Sequence, residues 1–164
     1  MARFDGFVLF AEMRTGSNYL EETLNLFPSL RCHGEAFNPA FTGQPDWPDL
    51  FGMSRAARDA DPLDLLRRIF EPGEGLGGFR YFHDHDPRVL DAVLPDARIA
   101  KSLLTRNPVD AYVSKQIAAA TGQWRLTDAR HRKVAKIRFD PAEFETMLER
   151  QQAFRERVRR ALQV

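Results

Sequence analysis

The most informative stretch of this 164-residue sequence is FVLFAEMRTGSNYLEETLNLF, residues 7–27. It opens with five apolar residues, 7–11, as expected for a strand that is buried on both faces of a sheet. It closes with apolar residues at helical spacing over 19–27, separated by polar ones. Small residues around Gly16 lie between these two segments. The pattern therefore predicts a strand, a tight turn and a helix.

The same alternation of strand and helix patterns continues along the chain. It predicts further strands at 77–82 and 98–105, and helices at 62–70, at 87–94, from Pro108 onward, and from Pro141 nearly to the end. Strands that alternate with helices predict a parallel sheet covered on both faces, and the length fits one domain, 1–164. Residues 41–60 are rich in Gly, Pro, Asp and Trp, which predicts an irregular excursion that helps to shape an acceptor pocket.

Composition narrows the classes of partner. Lys and Arg number 24 and Asp and Glu 23, so the net charge of +1 provides no general attraction to nucleic acid or to an anionic membrane. The five-residue apolar run near the N-terminus is shorter than a signal-peptide core or a membrane span. Cys32 is the single cysteine, which excludes an intramolecular disulfide and fits a reducing compartment. We expect a cytoplasmic protein with no integral membrane segment and no nucleic-acid partner.

The turn after the first strand has the features of an anion-binding site. The start of a helix presents unpaired backbone N–H groups, and the helix dipole favours negative charge there. Gly16 permits close approach of an anion, and Thr15, Ser17 and Asn18 add side-chain donors; Arg14 adds a planar guanidinium. The alternative is an ordinary turn with Ser17 or Asn18 as the helix N-cap. With one glycine and no lysine, the turn lacks the pattern of an ATP- or GTP-binding Walker loop.

A second candidate anion site follows the strand predicted at 98–105. Arg106 would lie at the carboxyl end of that strand, which is the edge where open α/β sheets bind ligands. Ser114 lies about two helical turns beyond Pro108, where it could meet the same anion. The alternatives are a solvated Arg106, or one paired with Asp110, and a serine that only packs the helix.

Both segments resemble sequence signatures of the PAPS-dependent sulfotransferases. RTGSNY, residues 14–19, resembles the loop that grips the 5′-phosphosulfate of the donor PAPS (3′-phosphoadenosine 5′-phosphosulfate), although Met13 replaces a usual proline. RNPVDAYVS, residues 106–114, resembles the signature that holds the 3′-phosphate. The resemblance implies a three-layer, P-loop-like α/β fold with a central parallel sheet flanked by helices, and no metal. The donor-binding residues that it implies are Arg14, Thr15, Gly16, Ser17, Asn18, Tyr19, Arg106 and Ser114.

HGEAF, residues 33–37, is similar to the G-E-x-F stretch of the bacterial trehalose-type small-molecule branch, whose glutamate is the proposed general base. The similarity implies Glu35 as the base, with His33 as a second candidate and Arg14 on the leaving-group side. The implied acceptor is a hydroxyl of a small-molecule, carbohydrate or lipid-linked acceptor. A homodimer is also among the expectations. Chains of this branch commonly continue further at the C-terminus, so we expect a domain that is short at that end.

Two other functions stay open at this point. One is a metal-dependent P-loop phosphoryl-transfer enzyme in which Asp84 or Asp86 holds magnesium, and the other is a non-catalytic nucleotide-binding module. His83 and His85 have the right chemistry for metal ligands, but i, i+2 alternation would place them on one face without a third ligand. The basic run over residues 125–136 is expected to be a solvated face, with nucleotide or anionic-acceptor contact as the second possibility.

Overall fold

The computed structural model describes residues 4–125 and 128–162. The elements in chain order are β1 (Gly6–Phe10), α1 (Ser17–Leu24), β2 (Leu30–Cys32), β3 (Asp49–Leu50), β4 (Met53–Ser54), α2 (Arg55–Ala60), α3 (Pro62–Phe70), β5 (Leu76–Tyr81), α4 (Pro87–Val93), β6 (Ile99–Leu103), α5 (Pro108–Thr121), a 3-10 turn (Ala129–His131) and α6 (Pro141–Leu162). Within the described ranges, the helices are too short or too polar to span a lipid bilayer.

The centre of the fold is a parallel sheet of four strands in the order β2-β5-β1-β6. Successive side chains of a strand point to opposite faces, so β1 contributes to two cores. Val8 and Phe10 pack with residues of α3, α4 and α6, whereas Phe7 and Leu9 pack with Leu20 and Leu24 of α1. Helices therefore cover both faces, and the α/β fold with a central parallel sheet is confirmed.

The strands and helices predicted around the sheet are confirmed to within a few residues at their ends. The prediction for residues 41–60 is wrong in part, because this segment contains the short hairpin β3–β4 and the helix α2. Ser54 starts that helix by accepting a hydrogen bond from the Ala57 N–H at 3.3 Å. The buried Arg58 side chain then donates to the carbonyl oxygens of Ala36 and Phe41, at 2.9 and 3.1 Å. The excursion thus anchors the chain that follows β2.

Gly77 allows β5 to lie directly against α3, and this gives a test of the packing. A Cβ atom at position 77 would lie 1.8 Å from the Ile69 carbonyl oxygen, which is backbone and cannot rotate away. Gly77→Ala is expected to lower the free energy of unfolding by about 2–3 kcal/mol, measured by urea denaturation. Gly73→Ala is the matched control, since its nearest atom would be 3.9 Å away. Equal urea midpoints for the two variants would contradict this packing.

Candidate functional site

The turn between β1 and α1 forms an open cradle at the carboxyl edge of the sheet. Arg14 and Gly16 both have positive φ, 66° and 92°, so the backbone turns sharply before the helix. The first helical hydrogen bond runs from the Leu20 N–H to the Gly16 carbonyl at 3.1 Å, which leaves the N–H groups of Ser17, Asn18 and Tyr19 without an intrahelical acceptor. The N-cap is Gly16, with no side-chain cap, so the interpretation of Ser17 or Asn18 as N-cap is wrong.

Two of the predicted donor side chains hold the shape of this turn. The Thr15 hydroxyl donates to the Glu12 carbonyl at 2.7 Å, and the Ser17 hydroxyl oxygen accepts from Arg80 Nη1 at 3.2 Å. Ser17 keeps its own hydroxyl hydrogen for another partner, because in that bond it only accepts. Asn18 is half-buried, whereas Tyr19 is largely exposed. The backbone N–H groups are therefore the main donors that the turn offers to an anion.

The structure brings the two predicted anion segments together through Arg14. Its Nε donates to the Ser114 hydroxyl at 2.9 Å, and its Nη1 donates to the carbonyl of Trp124. Arg106 Nη1 in turn donates to the Arg14 carbonyl at 2.9 Å. Partial burial, followed by the charge of Arg106, lowers the pKa of Arg14. A bound anion would relieve this repulsion between like charges.

These residues line a cavity of about 300 Å³ with a strong excess of positive charge. Its charged residues are four basic and one acidic: Arg14, Arg106, Arg132, Lys133 and Asp110. Sequence reasoning placed Arg132 and Lys133 in a basic run that was expected to be a solvated face. The Lys133 N–H donates to Gln123 Oε1 at 2.8 Å and its Nζ donates to the Thr121 carbonyl at 3.3 Å, which ties the run to the end of α5. Arg132 and Lys133 are both exposed, as expected for a solvated face, and they also line the cavity, where the second possibility, nucleotide contact, would place them.

Glu35 lies just beyond β2, near the anion turn, and its side chain is 13% exposed. Its Oε1 lies 3.2 Å from Arg80 Nη1, and its Oε2 accepts from Asn38 Nδ2 at 2.7 Å and lies 3.6 Å from His85 Nε2. Burial acts to raise the pKa of Glu35, but His85, Arg80 and Asn38 together outweigh it and hold the pKa below its usual range. Glu35 is therefore ionised near neutral pH, with both carboxylate oxygens already engaged.

Arg80 connects the anion turn to Glu35 from beneath. It is buried in β5, where its Nε forms an ion pair at 2.5 Å with Glu21 Oε2, although the two groups are not aligned as a hydrogen bond. The other oxygen of Glu21 accepts from Gln44 Nε2 at 3.1 Å. Burial raises the pKa of Glu21 despite the neighbouring guanidinium. The sequence pattern did not distinguish Arg80 from the other residues of the strand predicted at 77–82, and the helical pattern of α1 did not distinguish Glu21 from a solvated carboxylate.

His33 has a different environment from Glu35. Its ring packs edge-to-face against Phe51, with 4.9 Å between the ring centroids. Burial, with a smaller contribution from the Arg31 charge, lowers the pKa of His33, so its imidazole is neutral near pH 7. Phe51 belongs to residues 41–60, so this segment contributes an aromatic ring beside His33.

His83 and His85 do not share a face, because β5 ends at Tyr81 and strand alternation ends with it. His83 Nδ1 lies 2.7 Å from Glu12 Oε2, whereas His85 is buried beside Glu35. Asp86 caps α4 by accepting from the Arg88 N–H at 3.0 Å, and it also pairs with the Arg88 side chain. Over residues 4–125 and 128–162, no three His, Cys, Asp or Glu side chains are grouped so that they could hold a metal ion.

One curated protein with sequence similarity is Nodulation protein H of Rhizobium tropici. It is 28% identical over 124 residues, which make up 72% of this chain and 48% of the relative. The chain thus spans about half the length of the curated relative that it matches. No protein-family model matches the chain, and no solved structure matches it.

Proposed function

We propose that this chain is a PAPS-dependent sulfotransferase that transfers a sulfuryl group to a hydroxyl of a small-molecule, carbohydrate or lipid-linked acceptor. The observation that carries the proposal is the position of Arg14, which belongs to the anion turn and bonds Ser114 of the second site. The similarity to Nodulation protein H, a sulfotransferase, supports the same class. A cytoplasmic location and a homodimer stay predictions from the sequence.

The residues present fit both anionic ends of the donor substrate. The N–H groups of Ser17, Asn18 and Tyr19 suit a 5′-phosphosulfate, since they have no acceptor among the described residues and lie at a helix start. The basic 300 Å³ cavity beside Arg106 and Ser114 suits a 3′-phosphate. Bound PAPS supplies a sulfuryl group on a leaving phosphate. In this proposal the chain holds that phosphate, orients the donor and accepts the proton of the acceptor.

Glu35 is the base that the resemblance implies, and its contacts bear on that role in two ways. A base must be unprotonated before the proton moves, and the lowered pKa of Glu35 meets this condition. A carboxylate that already pairs with Arg80 and Asn38 has less tendency to accept a proton. A direct comparison of Glu35→Gln with variants of the other candidate bases therefore tests the role of Glu35.

Titration with adenosine 3′,5′-bisphosphate, the desulfated donor, tests the proposed function. We expect saturable binding and a rise in Tm, because the ligand binds only the folded chain. Arg106→Ala should weaken this binding roughly 10- to 100-fold, as expected for the loss of a charge-assisted hydrogen bond. Arg98→Ala is the matched control, since Arg98 is an exposed arginine that pairs with Asp96 and Asp5 before β6, at the opposite end of the strand.

The same titration separates the other functions. No rise in Tm with adenosine 3′,5′-bisphosphate, together with binding of ATP that requires magnesium, would overturn the proposal in favour of a phosphoryl-transfer enzyme. Binding without transfer to any hydroxyl would favour the non-catalytic module. An equal loss of affinity in Arg106→Ala and Arg98→Ala would contradict the placement of the 3′-phosphate.

A further inference from the structure

A second cavity, of about 630 Å³, shares no lining residue with the basic cavity. It lies where β1 and β5 end, against α5 and α6, and Met13 on its wall directly precedes the turn. The described residues that line it do not include Glu35 or any of residues 41–60. An acceptor held in this cavity would therefore need a base other than Glu35.

The cavity wall contains a buried carboxylate paired with a histidine. Glu12 is only 3% exposed, and its Oε2 lies 2.7 Å from His83 Nδ1. A carboxylate can only accept a hydrogen bond, so Nδ1 carries the hydrogen and Nε2 of the neutral ring keeps its lone pair as an acceptor. The second oxygen, Oε1, is buried and has no hydrogen-bond partner in the described part of the chain. The pair has the chemistry of a base held in one tautomer by a carboxylate.

His83 is better placed to take up a proton than Glu35. Its side chain is 30% exposed and lines the cavity, whereas both oxygens of Glu35 are engaged by Arg80, Asn38 and His85. The hydrogen bond to Glu12 raises the pKa of His83, and burial opposes it. The charge of Asp84 also raises the pKa, and that of Arg150 lowers it. Lys115 and Glu143, from α5 and α6, bring one further charge of each sign to the cavity.

We propose that His83, oriented by Glu12, removes the proton from an acceptor hydroxyl bound in this cavity. The inference rests on the proposed function and specifies its base. The acceptor oxygen forms a bond to sulfur while the bond from sulfur to the bridging phosphate oxygen breaks, and that oxygen keeps the electron pair. The hydroxyl proton passes to His83 Nε2, and the imidazolium pairs with Glu12 until it returns the proton to water. Charges of both signs on the wall suit an uncharged, hydroxyl-bearing acceptor.

NMR of the full chain tests the pair without any donor or acceptor. The imidazole ¹⁵N shifts of His83 should show hydrogen on Nδ1, and its pKa should lie above the ordinary value of about 6.5. Glu12→Gln should lower that pKa. His131, an exposed histidine whose Nδ1 lies 3.1 Å from Asp128, is the matched control and should not respond to Glu12→Gln. Hydrogen on Nε2 of His83, or a pKa that Glu12→Gln does not change, would overturn the proposal.

Kinetics with PAPS and methyl glucoside, used as a neutral hydroxyl probe, separate the two bases. His83→Gln should lower kcat about 10²-fold, with affinity for adenosine 3′,5′-bisphosphate changed less than twofold, while Arg98→Ala, at the opposite end of β6, keeps full activity. Because His83 must be unprotonated to act, the wild-type rate should fall as pH drops through the raised pKa, and Glu12→Gln should move that fall to lower pH.

Each kinetic outcome bears on a separate part of the inference. Loss of kcat in Glu35→Gln with full kcat in His83→Gln would make Glu35 the base and overturn the inference, while the sulfotransferase function stands. No turnover of the wild type with methyl glucoside, despite binding of adenosine 3′,5′-bisphosphate, would overturn the assignment of an uncharged acceptor to this cavity. Failure to bind that nucleotide at all would overturn the proposed function itself, and the NMR result on His83 would still be readable.

Discussion

Replacing Arg14 with alanine should lower kcat/KM for transfer from PAPS roughly 10³-fold and weaken the binding of adenosine 3′,5′-bisphosphate. The reason is that one side chain links the two proposed anion sites, since its guanidinium bonds Ser114 and the Trp124 carbonyl beside the basic cavity. Initial rates and a nucleotide titration, measured on the same preparation, check both parts of the prediction.

The free energy of unfolding should change little in Arg14→Ala, because alanine and arginine are about equally unfavourable at the φ of 66° that this position has. Arg14→Lys keeps the charge but loses the planar, multidentate guanidinium, so it should recover only part of the affinity. Arg98→Ala serves again as the control for losing an arginine away from the site. A folded Arg14→Ala protein with wild-type affinity and turnover would mean that the turn is not the donor site.

Arg80→Met should lower the free energy of unfolding by about 3–5 kcal/mol at pH 7. Arg80 is 2% exposed and is in ion-pairing distance of both Glu21 and Glu35, so its removal leaves two largely buried carboxylates without their cation. The loss should shrink as the pH falls, because protonation of these carboxylates removes the unpaired charge that destabilises the variant. Urea denaturation at pH 7 and near pH 4.5 measures both effects.

Arg67→Met is the matched control for Arg80→Met. The Arg67 side chain is 72% exposed and pairs with Asp61 and Asp64 on the surface, so its loss should change the free energy of unfolding by about 0.5 kcal/mol or less. Arg80→Met combined with Glu21→Gln should recover part of the stability, since one unpaired carboxylate is removed. Equal denaturation midpoints for Arg80→Met and Arg67→Met would show that Arg80 does not hold this cluster.

Local sequence patterns alone predict most of the strands and helices around the sheet and the two candidate anion-binding segments. These depend on short-range physics, namely the continuous apolar run of β1, the helical spacing of α1, and Pro108 at the first turn of α5. Because parallel strands end at one edge of a sheet, the sequence also indicated that the turn after β1 and Arg106 after β6 would lie near each other. The contact between Arg106 and Arg14 in the structure agrees with that expectation.

Which polar side chains meet depends on the tertiary structure. The strand order β2-β5-β1-β6 differs from the order along the chain, so β5 lies between β2 and β1 and brings Arg80 beneath Glu35. The same order places His83 against Glu12, a residue 71 positions earlier, and the packing of α5 against α6 encloses the cavity that they line. Local sequence patterns indicate whether a side chain suits a strand or a helix. The pKa and the role of a buried charge depend instead on its partners, and the strand order determines which residues those partners are.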